Sequence, residues 1–249
     1  ASCAALTTFA HPRWPGPKSR TGDESHAKSR ALPYTLTHDY SGTEDQEDSV
    51  PGLSVAIVAG GRSSRMGRDK SFVLLHGKPM IEHVVACVSV LPVESILLIA
   101  NRPDDYAYLC LPTYPDVFPG KGALGGIFSA VHHSPCEYTL VVGCDMPYLS
   151  DALLRYMASL LDERAGPYDV IVPVHDGHPQ GLHAIYRKTC LAPIQADLEA
   201  GRLKVIGFYG VVRVRYIQPA EYHDLDPQGR SFQNINTPEE LERANQGQL

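Results

Sequence analysis

Apolar residues fall into repeating patterns only beyond residue 52; from there short apolar runs alternate with longer amphipathic segments. Residues 1–52 are rich in Ser, Thr, Pro and charge, with no sustained period, and they close on the acidic run Glu44-Asp45-Gln46-Glu47-Asp48. Such a composition buries too little apolar area to offset ordering entropy, so it predicts a mobile extension, either a linker or a regulatory arm. Ser54–Val58 is an apolar run that stops at Ala59-Gly60-Gly61, the form of a buried parallel strand entering a loop. Ser95–Ala100, Tyr138–Gly143, Asp169–Val174, Leu182–Arg187 and Val211–Ile217 read as further strands. Pro79 opens a helical pattern that runs through Leu91. Ser150 is suited to cap a helix from Asp151 to Leu161. Thr237-Pro238-Glu239-Glu240 has a capping residue, a first-turn proline and a glutamate placed to reach back, which starts a last helix. The alternation predicts an α/β fold over residues 53–249: one Rossmann-like, mostly parallel sheet with helices on both faces. Ligands of such sheets sit at the carboxyl ends of the strands, where both the Ala59–Lys70 loop and Asp145 fall.

Composition adds exclusions. The 249 residues are 43% hydrophobic and 20% charged, an ordinary globular balance that needs no covalent staples. A net charge of −6 argues against a protein that coats nucleic acid, and leaves room for one nucleotide in a locally basic pocket. Cys3, Cys87, Cys110, Cys136, Cys144 and Cys190 form no CxxC pair and read as reduced thiols. No apolar run reaches the ~18 residues of a membrane span, and the start lacks a secretory pattern, so a cytoplasmic location is expected. His132-His133 and His175…His178 lack a helical i, i+4 pair or a nearby carboxylate cluster, which argues against zinc.

The densest chemistry lies in Val58-Ala-Gly-Gly-Arg-Ser-Ser-Arg-Met-Gly-Arg-Asp-Lys70. Its glycines let backbone amides approach a phosphate, and three arginines with Lys70 supply positive charge. It is not a P-loop, since five residues separate Gly61 from Gly67 and Arg68 follows, and it is not GxGxxG. The pattern resembles the opening loop of the molybdenum cofactor guanylyltransferases, within the nucleotide-diphospho-sugar transferase folds. Three more blocks resemble that family in the right order: Asp116-Val-Phe-Pro-Gly-Lys-Gly-Ala-Leu-Gly-Gly126, Val142-Gly-Cys-Asp-Met-Pro147, and Phe232-Gln-Asn-Ile-Asn-Thr-Pro-Glu-Glu240. The resemblance spans residues 54–244, with Val58 in place of the usual leucine and Ala123 in place of proline.

What the resemblance implies can be set beside the chemistry. Nucleotidyl transfer develops charge on phosphate oxygens, so its catalysis is mostly positioning and electrostatic stabilisation. Lys70 is implied as a nucleotide contact, Arg65 as a triphosphate contact, and Val58, Ala59, Gly60 and Gly61 as the backbone cradle. Asp145, at a strand end, would offer a hard carboxylate to Mg²⁺; read alone, it could equally cap the next turn. Asp116 is implied as a contact to base or ribose, and by itself would make an Asx turn before Pro119. Asn101 also stands at a strand end, out of alignment with the family's asparagine. On the acceptor side Pro179-Gln-Gly-Leu-His-Ala184 resembles a PQPLHA block, which implies pterin contacts from Gln180 and His183, with Gly181 departing from proline. Asn234 and Asn236 flank a helix N-terminus, where Asn236 is expected to complete the metal or phosphate site.

The implied reaction is transfer of GMP from GTP to Mo-molybdopterin, with transient contact to other molybdenum-cofactor proteins and with neither nucleic acid nor membrane as partner. Cytidylyl transfer to the same pterin, transfer to a sugar or polyol phosphate, and a nucleotide-binding module without turnover stay open as alternatives.

Overall fold

Leu53–Val58 (β1) is buried at every position, as a strand must be when it is flanked on both edges and covered on both faces. It starts the described part of the structure, a computed structural model that covers residues 52–59, 70–161 and 167–247. The expected extension over residues 1–51 lies outside those residues. A small hairpin of β2 (Leu74–Leu75) and β3 (Lys78–Pro79) leads into α1 (Met80–Val88), followed by β4 (Ser95–Ile99) and β5 (Thr113–Tyr114). Next come α2 (Gly122–His133), β6 (Tyr138–Gly143), α3 (Asp151–Ser159), β7 (Val170–His175), β8 (His178–Pro179) and β9 (His183–Arg187). The chain ends through α4 (Leu191–Glu199), β10 (Val214–Ile217), α5 (Pro219–Tyr222) and α6 (Pro238–Asn245).

The main sheet runs β10-β7-β9-β6-β1-β4-β5, with β8 paired to β7. β1 is parallel to β4 and β6, β4 to β5, and β7 to β10. The sheet is mostly parallel as expected; the exceptions are β8, antiparallel to β7, and β9, antiparallel to both β6 and β7. Its direction follows from the β7–β8 hairpin, whose two turn residues, Asp176 (φ 49) and Gly177 (φ 74), both take the left-handed conformation that tight hairpins require.

Alternation along β1 divides the core into two layers. Leu53, Val55 and Ile57 face α1 and α3, joining Ile81, Val84, Leu153 and Met157. Ala56 and Val58 face α2 and α4, joining Leu124, Ile127, Ile194 and Leu198. α2 packs very close to β1: a Cβ on Gly126 would lie 2.6 Å from Val58 Cγ1. Ser150 caps α3 by accepting from the Leu153 amide at 3.3 Å, and Thr237 caps α6 within a full capping box. Pro79 stands just before α1, not inside its first turn, and the helix ends at Val88 instead of Leu91. No helix among the described residues is long and apolar enough to cross a membrane.

From β1 the chain moves outward through β4 and β5 and then returns to place β6 on the other side of β1. The strand order therefore reverses between β1 and β6, and a crevice opens at the carboxyl ends of these two strands. Val58 and Gly143 stand in register at its rim.

Candidate active site

Both rim strands are fixed by backbone bonds. The Val58 carbonyl accepts from the Cys144 amide at 3.1 Å, and the Ala59 amide donates to Ile99 O at 2.9 Å. Gly60, Gly61 and Arg65, expected to hold phosphates, lie outside the described residues. The chain is next described at Lys70, which begins a single 3-10 turn through Phe72. Beneath that turn the buried Tyr106 hydroxyl lies 2.9 Å from Ser71 Oγ and 3.5 Å from the Ala59 carbonyl. Tyr106 thus ties the end of β1 to the turn that carries Lys70. It comes from the polar stretch Pro103–Leu109, where no sequence pattern marks it.

The Lys70 ammonium donates to Asn236 Oδ1 at 2.5 Å and lies 3.9 Å from Asp145 Oδ2. Asp145 follows β6, and Gly143 makes room for it: a Cβ there would lie 2.7 Å from Asp145 Oδ1. Burial pushes the Asp145 carboxyl above its ordinary range; the Lys70 charge and its own backbone amide offset part of this, while Glu240 adds to it. Desolvation wins because Lys70 is beyond hydrogen-bonding distance of Asp145. Asn236 is positioned through its backbone. Glu240 Oε2 accepts from the Asn236 amide at 2.6 Å and the Thr237 amide at 3.0 Å, while the Glu240 amide donates to Thr237 Oγ1 at 3.2 Å. The capping box of α6 therefore also sets the site. The Ile235 amide donates to the Asp145 carbonyl at 3.0 Å, stitching residues 230–236 across the end of β6.

This donor set fits Mg²⁺. Mg²⁺ takes one or two carboxylates and completes its shell with water and phosphate oxygens. Asp145 offers a desolvated carboxylate, Asn236 an amide oxygen, and the two already share a cation in the Lys70 ammonium. Among the described residues no three His, Cys, Asp or Glu side chains converge in a way that would hold a metal without help from substrate.

The other expected residues stand apart from this cluster. Asp116 Oδ1 accepts from the Phe118 amide at 3.0 Å and the Ser129 hydroxyl at 2.7 Å, which is the Asx turn its loop position suggested. Asn101 Oδ1 accepts from the Asp116 amide at 3.0 Å, so Asn101 braces the same loop. The Gln180 amide group donates to the His178 carbonyl at 3.0 Å and closes the β7–β8 hairpin. Asn234 is exposed.

The His183 ring is fully buried and lies 5.2 Å from the Phe232 ring, so in this structure it does not line the crevice. Burial pushes the imidazole down to about 4, against upward pulls from Asp226 and, more weakly, the Ser231 backbone. An unfolded chain titrates this histidine near its ordinary value of about 6.5. Between the two values the unfolded state binds more protons, so the fold loses stability as pH falls from 6.5 towards 4. His183→Leu is expected to remove about 3 kcal/mol of that acid-side loss, read as a shallower slope in denaturant midpoint against pH. An unchanged slope would place the titrating group elsewhere.

Comparison with known proteins gives a consistent picture. Residues 55–212 match the MobA-like NTP transferase domain family. A probable molybdenum cofactor guanylyltransferase of Carboxydothermus hydrogenoformans is 36% identical over 194 residues, covering 78% of this chain and 95% of the relative. The molybdenum cofactor guanylyltransferase of Desulfosudis oleivorans is 34% identical over 198 residues, covering 79% and 95%. Among solved structures, molybdopterin-guanine dinucleotide biosynthesis protein A of Archaeoglobus fulgidus superposes with a TM-score of 0.67 at 27% identity, covering 78% of this chain and 97% of that one. A 4-diphosphocytidyl-2C-methyl-D-erythritol synthase of Anaerococcus prevotii, at TM-score 0.58 and 15% identity, shares the fold alone.

Proposed function

We propose that this chain, which belongs to the MobA-like NTP transferase domain family and is a nucleotidyltransferase, moves GMP from GTP to the terminal phosphate of molybdopterin carrying molybdenum. The observation that carries the reading is the meeting of Lys70, Asp145 and Asn236 at the switch-point crevice. An acceptor phosphate oxygen attacks the α-phosphorus, the bond from that phosphorus to the α–β bridging oxygen breaks, and pyrophosphate leaves with the electron pair. A phosphate monoester is largely a dianion at neutral pH, so it needs no strong base and no covalent protein intermediate. The demand on the protein is to bring two polyanions together and to stabilise the charge that shifts onto the leaving oxygens.

Lys70 is placed to meet that charge, since its ammonium can turn from Asn236 and Asp145 to a phosphate oxygen without moving its turn. Asn236 and Asp145 orient the ammonium, and the Glu240 cap holds Asn236 in place. Mg²⁺, for which Asp145 and Asn236 are hard oxygen donors, supplies charge neutralisation at the phosphates when bound. A module without turnover would have no use for a desolvated carboxylate beside a lysine, which favours catalysis over binding alone.

The nucleotide is tested by pyrophosphate release with each of the four NTPs, with and without loaded pterin. GTP with pterin is expected to exceed CTP by at least tenfold in kcat/KM, because polar readout of a base leaves donors unpaired when the wrong base enters. Equal kcat/KM for GTP and CTP would sink the guanylyl assignment, and a CTP preference would move it to cytidylyl transfer.

A further inference from the structure

Three of the described arginines are half-buried: Arg187, Arg215 and Arg230. Arg187 pairs with Glu137 at 2.7 Å and Arg215 pairs with Glu221. Arg230 alone among them makes no ion pair with a described carboxylate, and its Nε is buried without a hydrogen-bond partner. The nearby acid is otherwise engaged: the two Asp226 oxygens accept from the backbone amides of Arg230 and Ser231, each at 3.0 Å. The guanidinium instead lies over an aromatic face, its central carbon 4.5 Å from the centroid of the Tyr148 ring.

Arg230 is linked to the site through its neighbours. Tyr148 lies three residues beyond Asp145 and packs on the cluster of Leu75, Met80 and Ile235. Ile235, five residues after Arg230, donates to the Asp145 carbonyl. Both the ring beneath the guanidinium and the strand of chain that carries it are therefore neighbours of Asp145. The same stretch holds one other buried polar atom without a described partner, Gln233 Oε1. A buried polar atom costs roughly 1–3 kcal/mol when left dry, so a polar ligand bound at this stretch would repay it.

We propose that Arg230 binds the phosphate of the acceptor. The inference rests on the transfer reading above and adds a residue to it. A guanidinium presents paired donors that match two oxygens of one phosphate, and no described carboxylate pairs with them here. The acceptor phosphate approaches a triphosphate, so a cation on the acceptor side lowers the repulsion between the two. The Tyr148 ring face attracts the guanidinium and keeps it in place, and Asp226 holds its backbone.

The test uses the full chain and has two readouts. In the first, inorganic phosphate is titrated into the protein without nucleotide or metal; Arg230→Ala is expected to weaken binding at least tenfold, with Arg230→Lys between the two. Equal phosphate affinity in wild type and Arg230→Ala, or no phosphate binding to wild type, overturns the proposal. In the second, turnover with pterin is expected to show at least a tenfold higher KM for the acceptor and an unchanged KM for the nucleotide. A purely structural arginine predicts a lower Tm with both KM values unchanged, and that result also overturns it. Should Arg230→Ala fail to fold, Arg230→Lys keeps both readouts, because an ammonium retains charge but not paired donors. If wild type releases no pyrophosphate from any NTP, the transfer reading fails, while the phosphate titration still decides the role of Arg230.

Discussion

Asp145→Asn is expected to fold normally and to lose turnover by about 10²–10³ in kcat, the usual cost of removing one electrostatic element from a reacting centre. The substitution keeps the size and the hydrogen-bonding capacity of the side chain and removes only its charge. Stability should hold or rise in the metal-free protein, and the sign follows from the direction of the pKa shift. Burial holds the Asp145 carboxyl above its unfolded value, so the ionised form is penalised in the fold at every pH above that value. The penalty is relieved only as pH falls through the folded value, and at neutral pH the neutral asparagine removes it outright. Lys70 keeps its 2.5 Å bond to Asn236. A carboxylate that only capped local backbone predicts the reverse, a modest loss of stability with near-normal kcat. Measuring kcat against Mg²⁺ alongside thermal unfolding separates the two, and wild-type turnover in a folded Asp145→Asn protein would remove Asp145 from the metal site.

Particular elements show why some of the molecule could be read in advance. β1, β4 and β6 are buried on both faces, so their apolar runs are continuous and stand out. The caps at Ser150 and Thr237 are legible because one side chain bonds a backbone amide three residues away. α2 carries no helical signal in the sequence, since Gly122, Gly125 and Gly126 are poor helix formers. Its helix is imposed by packing, where the missing Cβ at Gly126 lets the backbone reach Val58. α4 has Pro193 in its first turn and a mixed pattern that resembles a connection. The reversed direction of β9 is invisible to hydrophobic periodicity, which carries no sense of chain direction; the Asp176-Gly177 turn was the available signal.

The site divides along the same line. Lys70, Asp145 and Asn236 are polar residues at element ends, and the structure brings these three together from positions up to 166 residues apart. Tyr106 and Arg230 make their contacts with Ser71 and Tyr148, which lie far away along the chain, so no local pattern marks either residue. His183 looks different in sequence and in structure: the block around it is motif-like, whereas β9 is buried along its first four residues and so holds the ring in the interior.

Lys70→Met should separate the work of the lysine from that of the metal site. Turnover is expected to fall on the order of 10²–10³, because the ammonium is the described cation placed to meet charge at the phosphates. The Mg²⁺ concentration for half-maximal rate should stay the same or drop. The reason is electrostatic: at 3.9 Å the ammonium partly neutralises Asp145, and a metal must compete with it for the same carboxylate. Removing the lysine leaves Asp145 with less positive charge nearby, so the site attracts a divalent cation more strongly while catalysing less well. If Lys70 instead served only to hold Asn236, its loss would loosen that side chain, raise the Mg²⁺ requirement and leave kcat at saturating Mg²⁺ near normal. The double variant with Asp145→Asn sharpens the distinction. Two groups acting on the same developing charge are coupled, so the double loss should fall well short of the product of the single losses. Fully multiplicative losses would mean that Lys70 and Asp145 act independently, and the shared site inferred from their geometry would have to be abandoned.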